Sequence, residues 1–488
     1  MTPKRQLIIG GPGCGKTTAL LDILDRELEL GTNPREIAFV SFTRKAILEA
    51  KRRVELRFGI RTSTLRYFRT LHSMAFLELG INRRQMMGHD DWSKIGELLG
   101  LRFTGIHADE EKVLTGDKGD RMLAMVSLSD ARNMTLESIH LEYGDGISWF
   151  EFKQFYQTLM EYKSEFGKLE FRDLITRYLS TNKPIKVKVA IIDEAQDLST
   201  NQWDMIHMLF ANSERIYCAG DDIQALFLWS GADVNRFLNF DPHPIVLPIS
   251  FRLPHLVFAL ANKISNRITK KIDKEWSPQH DRGQGTITWI NDADELDLTK
   301  GQWLMLARNI RGLKQFETEC RMQGVLYEKN HKPSLDPIDI RAIGAYEHVR
   351  NGKPLSREDA VLVCLYTGNR ITGSGPTFSS KDFEQPFTTE WFNNFSRMGS
   401  YEKAYYRAVM RNGFDLQGDC GIIRLSTIHA AKGGEADNVV VCTDVSPRVF
   451  RNMEHDPDPE HRCFYVAITR TRENLFLMLP KTQLFYRV

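Results

Sequence analysis

The chain has 488 residues, of which 42% are hydrophobic and 26% charged, and a formal net charge of +2. That length exceeds one ordinary core and predicts about three or four domains; the composition excludes extensive disorder. A charge so close to zero excludes long-range attraction as the means of holding a polyanion, so local Lys and Arg clusters would have to do it.

In chain order, QLIIG (6–10) is a predicted strand, followed by GGPGCGKTT (10–18) and the helix-periodic TALLDILDREL (18–28). The glycine-rich piece fits GxxxxGK[ST] through Gly10, Gly15, Lys16 and Thr17, and it lies between strand and helix as that motif requires. Gly10, Gly11, Pro12, Gly13, Cys14, Gly15, Lys16, Thr17 and Thr18 are expected to wrap phosphates, with Lys16 on the β and γ groups and Thr17 on a magnesium ion. IAFVSF (37–42) is a second strand and RKAILEAKRRV (44–54) a second helix. Lys51 to Arg69 then carries seven Lys or Arg against the single acid Glu55, as a polyanion contact or a solvated helix face would.

Beyond a mixed, mainly helical stretch, VKVAIID (187–193) runs into DEAQD (193–197). A P-loop needs a carboxylate at the end of a neighbouring buried strand to hold magnesium, which assigns Asp193. Glu194 beside it is placed to orient and deprotonate water. RIYCAG (215–220) and PIVLP (244–248) complete a first set of strands. GTITWI (285–290), WLMLAR (303–308), GIIRLST (421–427), NVVVCT (438–443) and NLFLML (474–479) make a second, interrupted by a segment whose GNRITGSGPTFSS (368–380) is expected as its most mobile loop. Strands alternating with helices predict α/β cores with parallel sheets, and the interruptions predict insertions. Cys14, Cys218, Cys320, Cys364, Cys420, Cys442 and Cys463 form no CxxC pair, which favours reduced thiols in a cytoplasmic protein over disulfides or zinc. No run of about 18 apolar residues suggests a membrane span, and the first residues do not read as a signal segment.

These motifs, in this order, resemble superfamily 1 (SF1A) helicases of the UvrD/Rep type. FVSFTRKA (39–46) is similar to motif Ia, TLHSMA (70–75) to Ib, and KLEFRDLI (168–175) to the segment before the Walker B strand. AGDDIQALFLWSGA (219–232) is similar to motif III, LPISFR (247–252) to IV, and LARN (306–309) to the Arg-bearing strand that follows. STIHAAKGGEADNVVV (426–441) is similar to motif V and RCFYVAITRTRENL (462–475) to VI. The resemblance implies two RecA-like P-loop motor domains, 1–75 with 169–245 and 246–326 with 417–488, bearing mainly helical or mixed insertions at 76–168 and 327–416.

It further implies hydrolysis of ATP with Mg2+ between the two cores, driving a 3′ to 5′ translocase and helicase on single-stranded DNA and its junctions with duplex. Gln224 would sense the γ phosphate, Arg252 and Arg470 would be arginine fingers, Phe251 would stack on the base, and Glu435 would bind the ribose or help couple the site. Phe42, Thr43, His72, Trp229, Arg308, Thr427 and His429 match strand-contacting positions, although Phe42 and Trp229 suit a core, and His72 and His429 a structural role, equally well. Gln196 and Asp197 would link the nucleotide site to motif III or to the second core. Implied partners are replication or repair proteins, in a monomer or weak oligomer in the cytoplasm of a bacterial or phage-infected cell. The chain departs from the family pattern where Ser230 replaces an Arg, where KGGE with Gly434 replaces KGLE, and where Gln6 lies too near the P-loop to recognise adenine. Its small second insertion suits a phage or mobile element. The alternatives are a nucleotide-gated clamp that does not unwind, and an RNA-directed motor; a P-loop kinase would leave motifs III to VI without purpose.

Overall fold

A computed structural model describes residues 3–41, 44–104, 116–329, 332–413 and 423–488. The chain divides into two compact units, Met1–Gly283 with His455–Tyr465, and Gln284–Glu454 with Val466–Val488.

In the first unit, β1 (Lys4–Gly10), β2 (Ile37–Ser41), β3 (Tyr67–Arg69), β4 (Val189–Asp193), β5 (Arg215–Gly220) and β6 (Ile245–Leu247) form one sheet in the order β3-β2-β4-β5-β1-β6, every pairing parallel. Alternate residues feed two cores, as a strand period of two dictates. Leu7, Ile9, Ala38, Val40, Ala190 and Ile192 join one cluster, and Ile8, Ile37, Phe39, Val189 and Ile191 the other. β2 and β4 are buried along their whole length, which is why they read as continuous apolar runs. Ser41 pairs with Asp193, so the carboxyl ends of these strands reach one edge of the sheet. In open parallel sheets that edge is where ligands bind. α1 (Lys16–Glu29), α2 (Arg44–Phe58) and α3 (Leu71–Glu78) follow the first three strands.

The first insertion contributes the helices His89–Leu99, Lys118–Arg132, Leu136–Tyr143 and Trp149–Glu165, which close around a core of their own including Ile95, Met125, Ile139, Phe152, Phe155 and Leu159. Ser148 caps the last of these helices through a reciprocal bond with Glu151. Asp130 anchors the helix Lys118–Arg132 to the sheet domain, pairing with Arg172 through its carboxylate and accepting from Asn201 through its carbonyl at 2.6 Å. Residues 246–283 and His455–Tyr465, expected in the second core, fall in the first unit. For 246–283 the reason is hydrogen bonding to the loop after β1: β7 (Ile249–Ser250) pairs with β8 (Ser277–Pro278), Ser250 Oγ donates to the Pro12 carbonyl at 2.7 Å, and the Phe251 N–H donates to that of Gly13 at 3.0 Å.

The second unit opens with β9 (Thr286–Ile290), β10 (Trp303–Ala307), β11 (Tyr327–Lys329) and β12 (Lys332–Pro333). The helices Pro337–Arg350, Arg357–Thr367 and Ser400–Arg411 follow, with the small antiparallel pair β13 (Leu355–Ser356) and β14 (Thr377–Phe378). β15 (Ile423–Thr427), β16 (Ala436–Cys442) and β17 (Thr471–Met478) complete a sheet of order β12-β11-β15-β10-β16-β17-β9, parallel except for β11 with β12. Its helical insertion shares the core of the sheet, since Tyr346, Val363, Phe395 and Tyr406 belong to the cluster of Met305, Leu425 and Val440. The two parallel sheets with helical insertions match the expected pair of RecA-like domains.

Because the first insertion has a core of its own, Phe155→Ala, at a ring only 1% exposed, is expected to cost about 3–5 kcal/mol. A lowered urea midpoint of the helical circular dichroism signal would show it.

Candidate functional site

The loop after β1 is built for an anion. Gly13 (φ 75°) and Gly15 (φ 76°) adopt the left-handed conformation that other residues resist. Gly15 is also the N-cap of α1 and has no side chain to occupy the first N–H groups of that helix, which therefore face the loop with partial positive charge. Lys16 Nζ donates to the loop carbonyls of Gly10 at 2.8 Å and Gly11 at 3.2 Å. The ammonium is thus held where phosphate oxygens would compete for it. A β-carbon on Gly13 would collide with Cβ of Arg252, and one on Gly11 would lie 2.6 Å from the Trp276 ring, so both glycines are required by close neighbours. Burial raises the Cys14 thiol to about 11, leaving it neutral within the loop.

Asp193 ends β4 in a buried position, and its Oδ2 accepts from Thr17 Oγ1 at 3.0 Å. Desolvation, then repulsion from Glu194, push its pKa well above the usual carboxylate range; the Thr17 hydroxyl, Lys16 and the Glu194 N–H only partly oppose them. Glu194 stands at φ 54°, a left-handed conformation costing about 1–3 kcal/mol for a residue other than glycine. Its Oε2 accepts from Gln196 Nε2 at 2.5 Å. The other end of that amide, Oε1, accepts the Asp221 N–H at 3.1 Å. Gly220 makes the approach possible, since a β-carbon there would strike Gln196 Oε1. The expected link from Gln196 to the 219–232 segment is therefore a pair of hydrogen bonds.

Asp221 in turn accepts from Gln224 Nε2 at 2.7 Å. Asp221 and Asp222 are both fully buried, and Lys274 Nζ bonds to both, at 2.9 Å for Asp222. Burial alone would raise the Asp221 pKa, but Lys274, Lys16 and the Gln224 amide together hold the carboxyl below its ordinary value. Arg462, also buried, donates to the carbonyls of Asp222 and Lys270, and Asp458 on the same helix accepts from Thr269. Sequence reasoning missed Lys274, Trp276 and Arg462 as neighbours of the site. KKIDKEW carries neither periodicity nor motif, and only the folded contacts reveal its partners.

The first unit therefore gathers the P-loop, Asp193, Glu194, Gln224, Phe251 and Arg252. Phe251 is 58% exposed, and the Arg252 carbonyl accepts from Arg282 at 2.8 Å. His72 packs edge-on to Phe171, and burial lowers its pKa. Trp229 is half-buried against the core of the first insertion, and Arg132 donates to its carbonyl at 2.7 Å. Phe42 and Thr43 lie outside the described residues. Of the basic stretch, Arg53 and Arg57 pair with Asp25, and Arg66 pairs with Glu78, so much of that charge is spent internally. A cavity of about 610 Å³ lies beside the 228–235 segment, lined by Arg132, Thr200, Asn235, Lys270, Asp458 and Arg462 among others, with no P-loop residue in its wall.

The second unit holds the remaining assigned residues. Ala307 pairs with Thr427 across β10 and β15, bringing Arg308, Thr427 and His429 to one strand end. Arg308 is buried, and Thr427 Oγ1 accepts the Ala430 N–H at 3.3 Å. Glu435 accepts from Arg472. Arg470 is buried and donates to the carbonyls of Val466 at 3.0 Å and Gly434 at 3.3 Å.

Comparison with known proteins matches residues 2–244 to the UvrD/REP helicase N-terminal domain and residues 407–482 to the UvrD-like helicase C-terminal domain, together more than half of the chain. The chain is 24% identical over 356 residues to the ATP-dependent DNA helicase Rep of Buchnera aphidicola subsp. Baizongia pistaciae, a match covering 67% of this chain and 50% of that one. With the ATP-dependent DNA helicase PcrA of Leuconostoc citreum the identity is 23% over 396 residues, 74% of this chain and 50% of the relative. A Mycoplasma pneumoniae protein described as "Probable DNA helicase" is 22% identical over 519 aligned positions, 98% of this chain and 81% of its own. The chain spans about half the length of the first two of these relatives.

Gly13→Ala forces a methyl group toward Arg252 at a positive φ. It is expected to weaken a fluorescent ATP analogue by at least about tenfold in a direct titration, equivalent to about 1.4 kcal/mol.

Proposed function

The chain belongs to the UvrD/Rep-like helicases, and we propose that it is an ATP-driven motor that tracks along single-stranded DNA and unwinds duplex in the 3′ to 5′ direction. The observation that carries this reading is the Thr17 to Asp193 hydrogen bond, 3.0 Å, beside a P-loop whose lysine rests on loop carbonyls. Thr17 and Asp193 are hard oxygen donors, and Asp193 is a buried carboxyl that a counter-cation would stabilise, so they suit Mg2+. When bound, that ion neutralises phosphate charge during transfer.

In this reading, Lys16 leaves the Gly10 and Gly11 carbonyls for phosphate oxygens, and Glu194, held by Gln196, takes the proton of the attacking water. Gln224 reports the γ phosphate to Asp221 and Gln196. Arg252 and Arg470 stabilise the charge that develops on the transferred phosphoryl group. Phe251, more than half exposed beside the P-loop, offers a ring to the base, and Glu435 serves the ribose. Phe42, Thr43, His72, Trp229, Arg308, Thr427 and His429 contact the strand. The motor acts at single-strand to duplex junctions, with replication or repair proteins, in the cytoplasm. Among the described residues no helix is long and apolar enough to cross a membrane.

Steady-state hydrolysis without a strand, with DNA and with RNA, run beside unwinding of duplexes with 3′ or 5′ tails, tests the proposal. DNA-stimulated turnover with unwinding from the 3′ tail is the expected result. Stimulation by neither polymer defeats the motor, stimulation by RNA alone makes it an RNA motor, and stimulation without unwinding makes it a clamp or translocase. Glu194→Gln should lower turnover by about 10²–10⁴-fold while leaving strand binding intact. Arg252→Ala and Arg470→Ala should each lower it by about 10³-fold or more.

A further inference from the structure

Lys274 belongs to none of the motifs, yet its ammonium is the cation on which the hydrogen-bond chain at the nucleotide site ends. Its side chain is 2% exposed and its two carboxylate partners, Asp221 and Asp222, are 0% exposed. Asp221 is a branch point. Oδ1 faces Lys274, Oδ2 accepts from Gln224 Nε2 at 2.7 Å, and the backbone N–H holds Gln196 Oε1 at 3.1 Å. Gln196 then holds Glu194 at 2.5 Å. An ionised carboxylate only accepts, so Asp221 compels Gln224 to turn its NH2 toward it and its carbonyl away. A protonated Asp221 would allow the amide to reverse. A compact ammonium keeps this buried carboxylate ionised without the volume of a guanidinium.

The Ile272 N–H donates to Asp222 Oδ2 at 2.8 Å, and Trp276 lies against Gly11 of the P-loop. The segment bearing Lys274 thus touches both the 219–232 segment and the phosphate loop. Arg462, buried, donates to the Asp222 backbone carbonyl at 3.2 Å and pairs with Asp458 at 3.8 Å, which holds this end of the 219–232 segment.

We propose that Lys274 is a positioning residue for ATP hydrolysis: through Asp221 it sets the orientation of Gln224, and through Gln196 the placement of Glu194. The inference rests on the reading of Gln224 as γ-phosphate sensor and Glu194 as base. It adds the residue that fixes both.

The test is a double-mutant cycle on the full chain, comparing wild type, Lys274→Met, Gln224→Ala and the double variant. DNA-stimulated ATP hydrolysis gives kcat, and titration with a fluorescent ATP analogue gives Kd. Lys274→Met should lower kcat on the order of 10²-fold, as a displaced catalytic group does, with Kd unchanged. Adding Gln224→Ala should cost no more than about twofold further, because Lys274→Met has already released Gln224 from its position. Multiplicative losses, an unchanged kcat in Lys274→Met, or a loss confined to Kd would each overturn the proposal. Should Lys274→Met fail to fold, as judged by circular dichroism, Asp221→Asn takes its place in the same cycle. It keeps the volume and removes the charge. A wild-type chain without DNA-stimulated hydrolysis would defeat the functional reading and this inference together, whereas an active wild type with an indifferent Lys274→Met would defeat this inference alone.

Discussion

Asp193, Asp221 and Asp222 stand at the carboxyl edge of the first sheet, out of contact with water, and each must find a donor or a cation there. An isolated ionised carboxylate in an apolar surrounding neutralises itself or is paired. Asp193 has the Thr17 hydroxyl and incomplete compensation from Lys16, so its pKa climbs. Asp221 and Asp222 have Lys274, and the Asp221 pKa falls. The same edge thus holds one carboxyl that a cation would stabilise and a neighbouring pair already supplied with one. That contrast distinguishes the proposed metal-binding acid from the paired ones more sharply than their positions in the sequence do.

Close packing around these acids limits which residues the backbone can carry. Gly220 is required because Gln196 passes over it, Gly13 because Arg252 does, and Gly11 because Trp276 does. Gly231, at φ 97°, lies against the backbone of Ala131 at the end of an insertion helix, where Arg132 also reaches the Trp229 carbonyl. The insertion is therefore fastened to the very segment that carries Gln224. The proposed phosphate-sensing residue and the anchor of the insertion thus share one short stretch of chain.

Much of this was legible in the residues alone. The alternation of apolar strands and helices predicted two parallel sheets, and each predicted strand from QLIIG to NLFLML is present. GGPGCGKTT and DEAQD pointed to Lys16, Thr17, Asp193 and Glu194 as candidates, and the fold brings the loop and the strand end together through the Thr17 to Asp193 hydrogen bond. The basic stretch at 51–69 was less informative than it looked. Arg53 and Arg57 turn to acids of α1, and nothing in their spacing says so. The small β7 with β8 pair, and with it the membership of residues 246–283 in the first unit, also escaped, because two-residue strands leave no periodic trace.

What the sequence determined by itself was local: apolar period, a helix following a strand, and the residue types of a phosphate loop. These depend on a residue and its near neighbours, so they survive being read along a line. The tertiary structure alone decided that Lys274 would neutralise carboxylates 53 and 52 positions away, that Gln196 would bridge Glu194 to Asp221, and that Trp276 would cover Gly11. Those pairings follow from which strand ends meet at one edge, and buried charge, unlike hydrophobic period, has no preferred spacing in the chain.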